Sequence, residues 1–448
     1  MNCDAHHLPQ FALSAAGLGA LAMVLKSRFR ADKANLPGVP GPYVIVGAGQ
    51  AGLQIAESLR HEKYDGPVIL LGAEAHPPYN RPPLSKHWLL ERRAPATLSI
   101  RGLEAIQRRH IDLRVNTTVT AIDRASQVVH CADGQQIPYG GLALATGARL
   151  RTLAVPGTGL DGVHNLRTID DAQHILASLD RCATESAPVI VIGGGFIGLE
   201  IAATARTLGL QVTVLEGLSR LMSRVVAPIV SEAAAQVHRT HGVHLVFDAR
   251  VAELLGEKGE LRAVRMADGQ EYSAGCVVVG VGIDPDDTLA NAAGLLCNRG
   301  IIVDGFSRTS DPLIVAAGDC CARRRDDGTL QRLESVQNAA EQGMSAAVSL
   351  LGRQRPFTAP PWFWSDQYDI KLQMVGLSAG YDQVVTRGDT AKPAFSAFYF
   401  RAGKLIAVDS LSRIPDHMVA RKLLDRGVSP PPDRAADQNF DLHSLLAG

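Results

Sequence analysis

Short, wholly apolar runs alternate along this chain with segments in which apolar positions recur every three or four residues. Tyr43 to Val46 and Val68 to Leu71 read as buried strands, and Ala51 to Arg60 between them as a helix. Val189 to Ile192, Gly198 to Leu208 and Val212 to Leu215 repeat the same strand, helix, strand order. A further strand-like run, Leu313 to Ala317, ends in Gly318-Asp319. Beyond Pro360-Pro361 the pattern changes to aromatic alternation, through Trp362, Phe363, Trp364 and Tyr368 and then Phe395, Phe398, Tyr399 and Phe400, which predicts an antiparallel sheet. Val428 to Pro432 reads as a turn or linker, and the last dozen residues are expected to be loose.

Each strand-helix junction carries a glycine turn, Gly47-Ala48-Gly49-Gln50-Ala51-Gly52 in the first unit and Gly193-Gly194-Gly195-Phe196-Ile197-Gly198 in the second. A lone motif of this kind is weak, but between a strand and a helix it marks a dinucleotide site. The first glycine makes the tight turn, the second lets backbone approach a pyrophosphate, and the third permits close helix packing. Glu74 and Glu216, near the ends of the second strands, are candidates for binding ribose hydroxyls. Two such sites in one chain point to electrons passing between two dinucleotides. The expected fold is therefore α/β, with two Rossmann-like dinucleotide-binding domains, the second inserted in the first, plus an α+β C-terminal domain on an antiparallel sheet. By residue, the first domain takes 41–151 and 285–355, the inserted one 152–284 and the C-terminal one 356–448, with 1–40 as a flexible extension.

At 448 residues the chain has room for about three domains of roughly 150 residues each. Lys and Arg number 45 against 45 Asp and Glu, so no global charge draws it to nucleic acid or an anionic membrane. Seven cysteines without C-x-x-C spacing argue against a secreted disulfide framework and for a cytoplasmic protein with reduced thiols. The adjacent Cys320 and Cys321 read as packed thiols. No metal-ligand spacing is present. The apolar run Phe11 to Leu25 is shorter than the roughly twenty residues of a membrane span and precedes its charges, Lys26, Arg28 and Arg30. A loose leader, or a true start at Met23, is expected there, with peripheral membrane contact as the alternative.

From about residue 42 to 425 the sequence resembles the ferredoxin-reductase family of FAD flavoproteins, which includes reductases of putidaredoxin, rubredoxin and biphenyl-dioxygenase ferredoxin. The resemblance rests on the glycine turns and on ordered segments: Pro78-Tyr79-Asn80-Arg81-Pro82-Pro83-Leu84-Ser85-Lys86, Ala145-Thr146-Gly147-Ala148, Leu166-Arg167-Thr168, Ala316-Ala317-Gly318-Asp319, Leu333-Glu334-Ser335-Val336 and Trp362-Phe363-Trp364-Ser365-Asp366-Gln367-Tyr368. It implies that the first turn takes FAD and the second NADH. Gly47, Gly49, Gly52, Glu74, Arg81, Ala145, Thr146, Gly147, Gly318, Asp319 and Val336 would then serve FAD, and Gly193, Gly195, Gly198, Glu216 and Gly282 the nicotinamide cofactor. Asp319 would take a ribityl hydroxyl, or act only as the N-cap of a following helix. An acid at Glu216, with the nearest downstream arginine four residues on at Arg220, favours NADH over NADPH.

The resemblance also implies that Lys86 and Glu200 meet beside the flavin, where a cation would stabilise the electron-rich reduced ring. On the bare sequence they are a surface lysine and a helix-surface acid. Trp364, or Trp362 in its place, would lie against the flavin. Residues 41 to 130 contain no cysteine, which argues against a thiol relay. The function expected is electron transfer from NADH through FAD to a [2Fe–2S] ferredoxin serving a cytochrome P450 or a Rieske oxygenase. Alternatives are an NADH dehydrogenase with rubredoxin, quinone or oxygen as acceptor, or a redox-responsive binding protein like apoptosis-inducing factor. Arg323, Arg324, Arg325 and Arg332 are candidates for docking an acidic ferredoxin.

Overall fold

The structure is a computed structural model that describes residues 41–446, so the expectations for the N-terminal extension lie outside the described residues. Three five-stranded sheets organise the described residues. The first is all parallel and runs, in spatial order, Ile314–Ala316, Gly141–Leu144, Tyr43–Val46, Val68–Leu71 and Ile111–Arg114. The second, also parallel, runs His244–Val246, Val212–Leu215, Val189–Ile192, Cys276–Val279 and Val163–Asn165. The strands Val68–Leu71 and Val189–Ile192 are buried at every position, as the absence of polar alternation requires. Each glycine turn opens a 12-residue helix, Gln50–His61 in one unit and Phe196–Thr207 in the other.

The chain leaves the first sheet through Ala148–Leu150 and returns through Ile283–Pro285, and these two passages pair antiparallel with Arg149 opposite Asp284. The longest helix among the described residues, Ile169–Glu185, starts at a capping box in which Thr168 Oγ1 accepts from Asp171 N at 3.1 Å while the Asp171 carboxylate accepts from Thr168 N at 2.8 Å.

The third sheet is antiparallel, in the order Trp362–Gln367, Ile370–Gly376, Lys404–Leu411, Ala394–Arg401 and Gln383–Asp389. Its strand Ala394–Arg401 is buried on both faces because both are covered. Phe395, Ala397 and Tyr399 pack toward the helix Pro228–Thr240 of the second unit, and Phe398 and Phe400 toward the helix Ile414–Asp425. Tyr399 Oη accepts from Ala227 N at 3.0 Å and donates to the fully buried Asp409.

Two expectations need correcting. The last dozen residues were expected to be loose, but residues 437–440 are held where the Arg387 guanidinium donates to the carbonyls of Asp437, Gln438 and Phe440, and Leu442 is buried. Asp319 is followed by a strand, Cys321–Arg324, and the next long helix, Val336–Leu350, is capped instead by Ser335. The N-cap reading of Asp319 therefore does not arise.

Candidate active site between the two glycine turns

Within each turn the three glycines have different reasons to be glycine. Gly47 sits at φ +109° and Gly193 at φ +111°, where an L side chain is strained, and a Cβ on either would strike the carbonyl oxygen of Ala145 or Gly280. A Cβ on Gly52 or Gly198 would strike the carbonyl oxygen of the first glycine of its own turn. Gly49 and Gly195, by contrast, have no protein atom within 4 Å of a would-be Cβ. Each caps its helix without a side-chain hydrogen bond, so the first N–H groups stay open. The protein itself does not require glycine at the middle position; a pyrophosphate lying against the helix N-terminus does.

Both turns face a single cavity of about 1660 Å³. Pockets for one small ligand hold roughly 300–1,000 Å³, so this one has room for two. Every residue singled out in the sequence for catalysis or cofactor binding lines it except Gly52, which lies behind the turn. Thr146 is fixed by donating to the Asp286 carbonyl at 2.5 Å, and Gly318 N donates to Gln342 Oε1 at 2.8 Å.

The two acids paired in the sequence reading differ in setting. Glu216 follows its strand directly and accepts from Gly194 N at 2.6 Å and Leu218 N at 2.8 Å, which aims it into the second glycine turn. Arg220 is turned away, donating to the Ser223 and Val226 carbonyls at 2.7 and 2.8 Å. Glu74 stands three residues beyond its strand, and its carboxylate accepts from Tyr79 Oη at 2.6 Å and pairs with Arg81. Arg81 also donates to Tyr79 Oη at 2.7 Å and to the Arg167 carbonyl at 2.6 Å. Asp319 faces Arg167 at 3.7 Å; burial pushes its carboxyl up and the guanidinium opposes this.

Lys86 and Glu200 meet. Lys86 Nζ lies 3.0 Å from Glu200 Oε1, with side chains 11 % and 4 % exposed. Lys86 comes from the end of the short turn Pro82–Ser85 and also donates to the Pro82 carbonyl at 3.2 Å. Glu200 projects from the helix of the second glycine turn. Two hydroxyls complete its shell: Ser85 Oγ donates to Oε2, and Ser365 Oγ to Oε1 at 2.5 Å. Burial pushes the Glu200 carboxyl above the ordinary range, while first Lys86 and then the serine hydroxyls oppose it. Ser365 reaches this point because the edge strand Trp362–Gln367 lies along the helix Phe196–Thr207. Ser85 and Ser365 stood inside the quoted segments, but nothing in their spacing assigned them to one carboxylate. Trp362 and Trp364 both line the cavity, their ring centroids 5.4 Å apart.

The arginine run does not form a free basic face. Arg323 lies half-buried over the Phe357 ring at 5.2 Å, and Arg332 turns toward the cavity and pairs with Glu334 at 2.5 Å. Of the four, Arg325 alone is exposed rather than partly buried. Cys320 and Cys321 are buried free thiols, hydrogen-bonded to each other with sulfurs 3.8 Å apart, and none of the described cysteines lines the cavity. Among the described residues, no group of three or more His, Cys, Asp or Glu side chains could hold a metal ion, and no helix is long and apolar enough to cross a membrane.

Two dinucleotide turns facing one cavity, with a buried ion pair between them, define an oxidoreductase that works between two nucleotide cofactors. Family comparison agrees, since residues 41–343 match the pyridine nucleotide-disulphide oxidoreductase model and residues 362–446 a reductase C-terminal model. The chain is similar to rhodocoxin reductase of Rhodococcus erythropolis, 42 % identical over 90 % of this chain and 94 % of that one, and to putidaredoxin reductase of Pseudomonas putida, 38 % identical over 90 % and 96 %. Among solved structures it is similar to the ferredoxin reductase for the CYP199A2 system of Rhodopseudomonas palustris, with TM-score 0.87 and 44 % identity over 91 % of this chain and all of that one. A covalent putidaredoxin reductase–putidaredoxin complex gives the same TM-score at 37 % identity, covering 91 % of this chain and 99 % of that one. The chain belongs to the pyridine nucleotide-disulphide oxidoreductase family.

Proposed function

We propose that this protein is an FAD-dependent NADH:ferredoxin reductase, carrying electrons from NADH to a [2Fe–2S] ferredoxin that serves a cytochrome P450 or a Rieske oxygenase. The observation that carries the reading is the Lys86–Glu200 pair, buried in the wall of a cavity that both glycine turns enter. The open space at Gly49 and Gly195 fits a pyrophosphate at each turn. FAD would lie against Gly47, Gly49, Ala145, Thr146, Gly147, Gly318, Asp319 and Val336, with Glu74 and Arg81 at its edge. NADH would lie against Gly193, Gly195, Gly282 and Glu216. Glu216 holds a negative charge where the extra phosphate of NADPH would go, and Arg220, spent on carbonyls, offers that phosphate no partner. When bound, FAD supplies the step from a two-electron donor to one-electron acceptors.

The chain's own residues do the rest. The Lys86 ammonium, fixed by Glu200 and the Pro82 carbonyl, presents positive charge where negative charge grows on reduction. Trp362 and Trp364 exclude water from one wall and present aromatic surface toward an incoming partner. With no thiol among the described lining residues, those residues offer electrons no covalent carrier within the cavity, and the electrons pass to an external acceptor. The absence of any disulfide among the described cysteines is in keeping with a cytoplasmic setting.

The test is NADH-driven cytochrome c reduction by the purified flavoprotein with and without a bacterial-type [2Fe–2S] ferredoxin. A large ferredoxin-dependent rise is expected. Rapid bleaching of the flavin by NADH with no rise for any ferredoxin would refute the acceptor and turn attention to rubredoxin, quinone or oxygen.

A further inference from the structure

The shell of Glu200 does not end at Ser365. Gln367, two residues along the same strand face, donates through Nε2 to Ser365 Oγ at 3.2 Å. Its Oε1 lies 2.9 Å from Nε2 of His238, on the helix Pro228–Thr240 of the inserted unit. The other ring nitrogen of His238 lies 3.5 Å from Tyr368 Oη, and His241, exposed at the end of that helix, stacks on the Tyr368 ring at 3.7 Å. A line of contacts therefore runs from Glu200 to the surface, crossing two domains. Glu200, Ser365, Gln367 and His238 are all buried.

The sense of each bond follows from the carboxylate end. Ionised Glu200 only accepts, so the single Ser365 proton points to it. Gln367 must then offer its N–H to Ser365, which leaves its carbonyl oxygen for His238. That oxygen only accepts, so His238 carries its proton on Nε2 and leaves Nδ1 to accept from Tyr368. Every donor in the line points toward Glu200.

We propose that Ser365, Gln367 and His238 are positioning residues, a one-way hydrogen-bonded relay that holds the Glu200 carboxylate, and through it the Lys86 ammonium, in place for flavin reduction. This rests on the reading of the site given above. Aligned donors favour the charged form of the acceptor and oppose the burial that would neutralise it. The charged and titratable groups that face the line are Lys86 at Glu200, His241 beside His238, and Arg206 near Tyr368. Burial keeps His238 itself neutral, its pKa pushed down to about 4.

The experiment is rapid-mixing reduction of the holoenzyme by NADH across a pH series, for the parent and for Ser365→Ala, Ser365→Thr, Gln367→Leu and His238→Phe, with FAD content read alongside. Each lost donor makes Glu200 easier to protonate, so the acid limb of the profile moves to higher pH. For Ser365→Ala the expected shift is about one pH unit, the size of one hydrogen bond to a charged group. Ser365→Thr keeps the hydroxyl, and Ser365 borders a small cavity of about 20 Å³, so it should restore the parent profile. Gln367→Leu and His238→Phe touch neither Glu200 nor the cofactors, and should shift the limb the same way by less. An effect confined to Ser365 overturns the relay, as does a Ser365→Thr profile no better than that of Ser365→Ala. A parent enzyme that NADH fails to bleach overturns the reading of the site, which separates the two failures.

Discussion

Replacing Lys86 by Met removes the ammonium while keeping most of the apolar stem. At 3.0 Å, and with an effective dielectric of about 20, the attraction to Glu200 is worth ~5 kcal/mol before desolvation is subtracted. Removing one member of such a buried pair costs about 3–5 kcal/mol, because the other charge is left behind. Glu200 has a partial escape: burial already raises its carboxyl, so it takes up a proton, and the expected loss is near the lower end, ~3 kcal/mol. Lys86→Met/Glu200→Gln removes the stranded charge and should recover all but ~1 kcal/mol, giving a large coupling in the double-mutant cycle. Flavin reduction should behave differently and stay slow in both variants, by roughly a hundredfold, the scale for losing one preorganised charge at a reacting centre. Urea midpoints and rapid-mixing reduction by NADH read the two quantities separately. A double variant that regained the rate along with the stability would refute the argument, since Lys86 would then matter only for packing.

Glu216→Ala removes the acceptor of Gly194 N and the charge beside the second glycine turn, so KM for NADH should rise about tenfold and the preference over NADPH should narrow, as steady-state kinetics with both cofactors will read. Gly49→Ala has open space in the protein and should fold yet bind FAD poorly, whereas Gly52→Ala drives into the Gly47 carbonyl and should fail to fold; flavin content and circular dichroism distinguish them. Burial raises the Asp409 carboxyl to about 7, above the ~3.9 of an unfolded aspartate, so between those values the native state holds a proton that the unfolded state has lost. Its contribution is complete below about pH 4 and disappears as pH rises through about 7. Asp409→Asn should therefore gain most over the parent at about pH 8 and least near pH 4, measured as urea midpoints across pH.

What could be read from the sequence followed from local pattern. The strands Val68–Leu71 and Val189–Ile192 fall where uninterrupted apolar runs put them, because a strand covered on both faces has no polar positions to blur its ends. The glycine turns were legible because their spacing and the clash between third and first glycine lie within a few residues, although the first glycine also packs against the distant Ala145 or Gly280 carbonyl. Glu74 was harder, since distance from a strand end does not say which way a side chain turns, and the nearby Arg81 and Tyr79 capture it. The helix expected after Asp319 came with the family resemblance, and the strand Cys321–Arg324 stands there instead. Lys86 and Glu200 look like surface residues by composition, and only family resemblance brought them together. Ser365, Gln367 and His238 belong to two domains, and no local rule joins an edge strand to a helix more than a hundred residues away.

The paired passages Ala148–Leu150 and Ile283–Pro285 bring the two ends of the inserted unit side by side, about 5 Å apart as antiparallel neighbours are. A segment whose start and finish coincide behaves as a cassette. It can be lifted out and replaced by a counterpart of different length or nucleotide preference, and the rest of the chain meets the same two anchor points. In such a chimera the burden of compatibility falls on two seams, one where the cassette's helices press against the C-terminal sheet and one where they meet the segment around Ser85 and Lys86, so Ala227 opposite Tyr399, His238 opposite Gln367, Thr204 opposite Ser85 and Glu200 opposite Lys86 are the contacts a successful graft must carry with it.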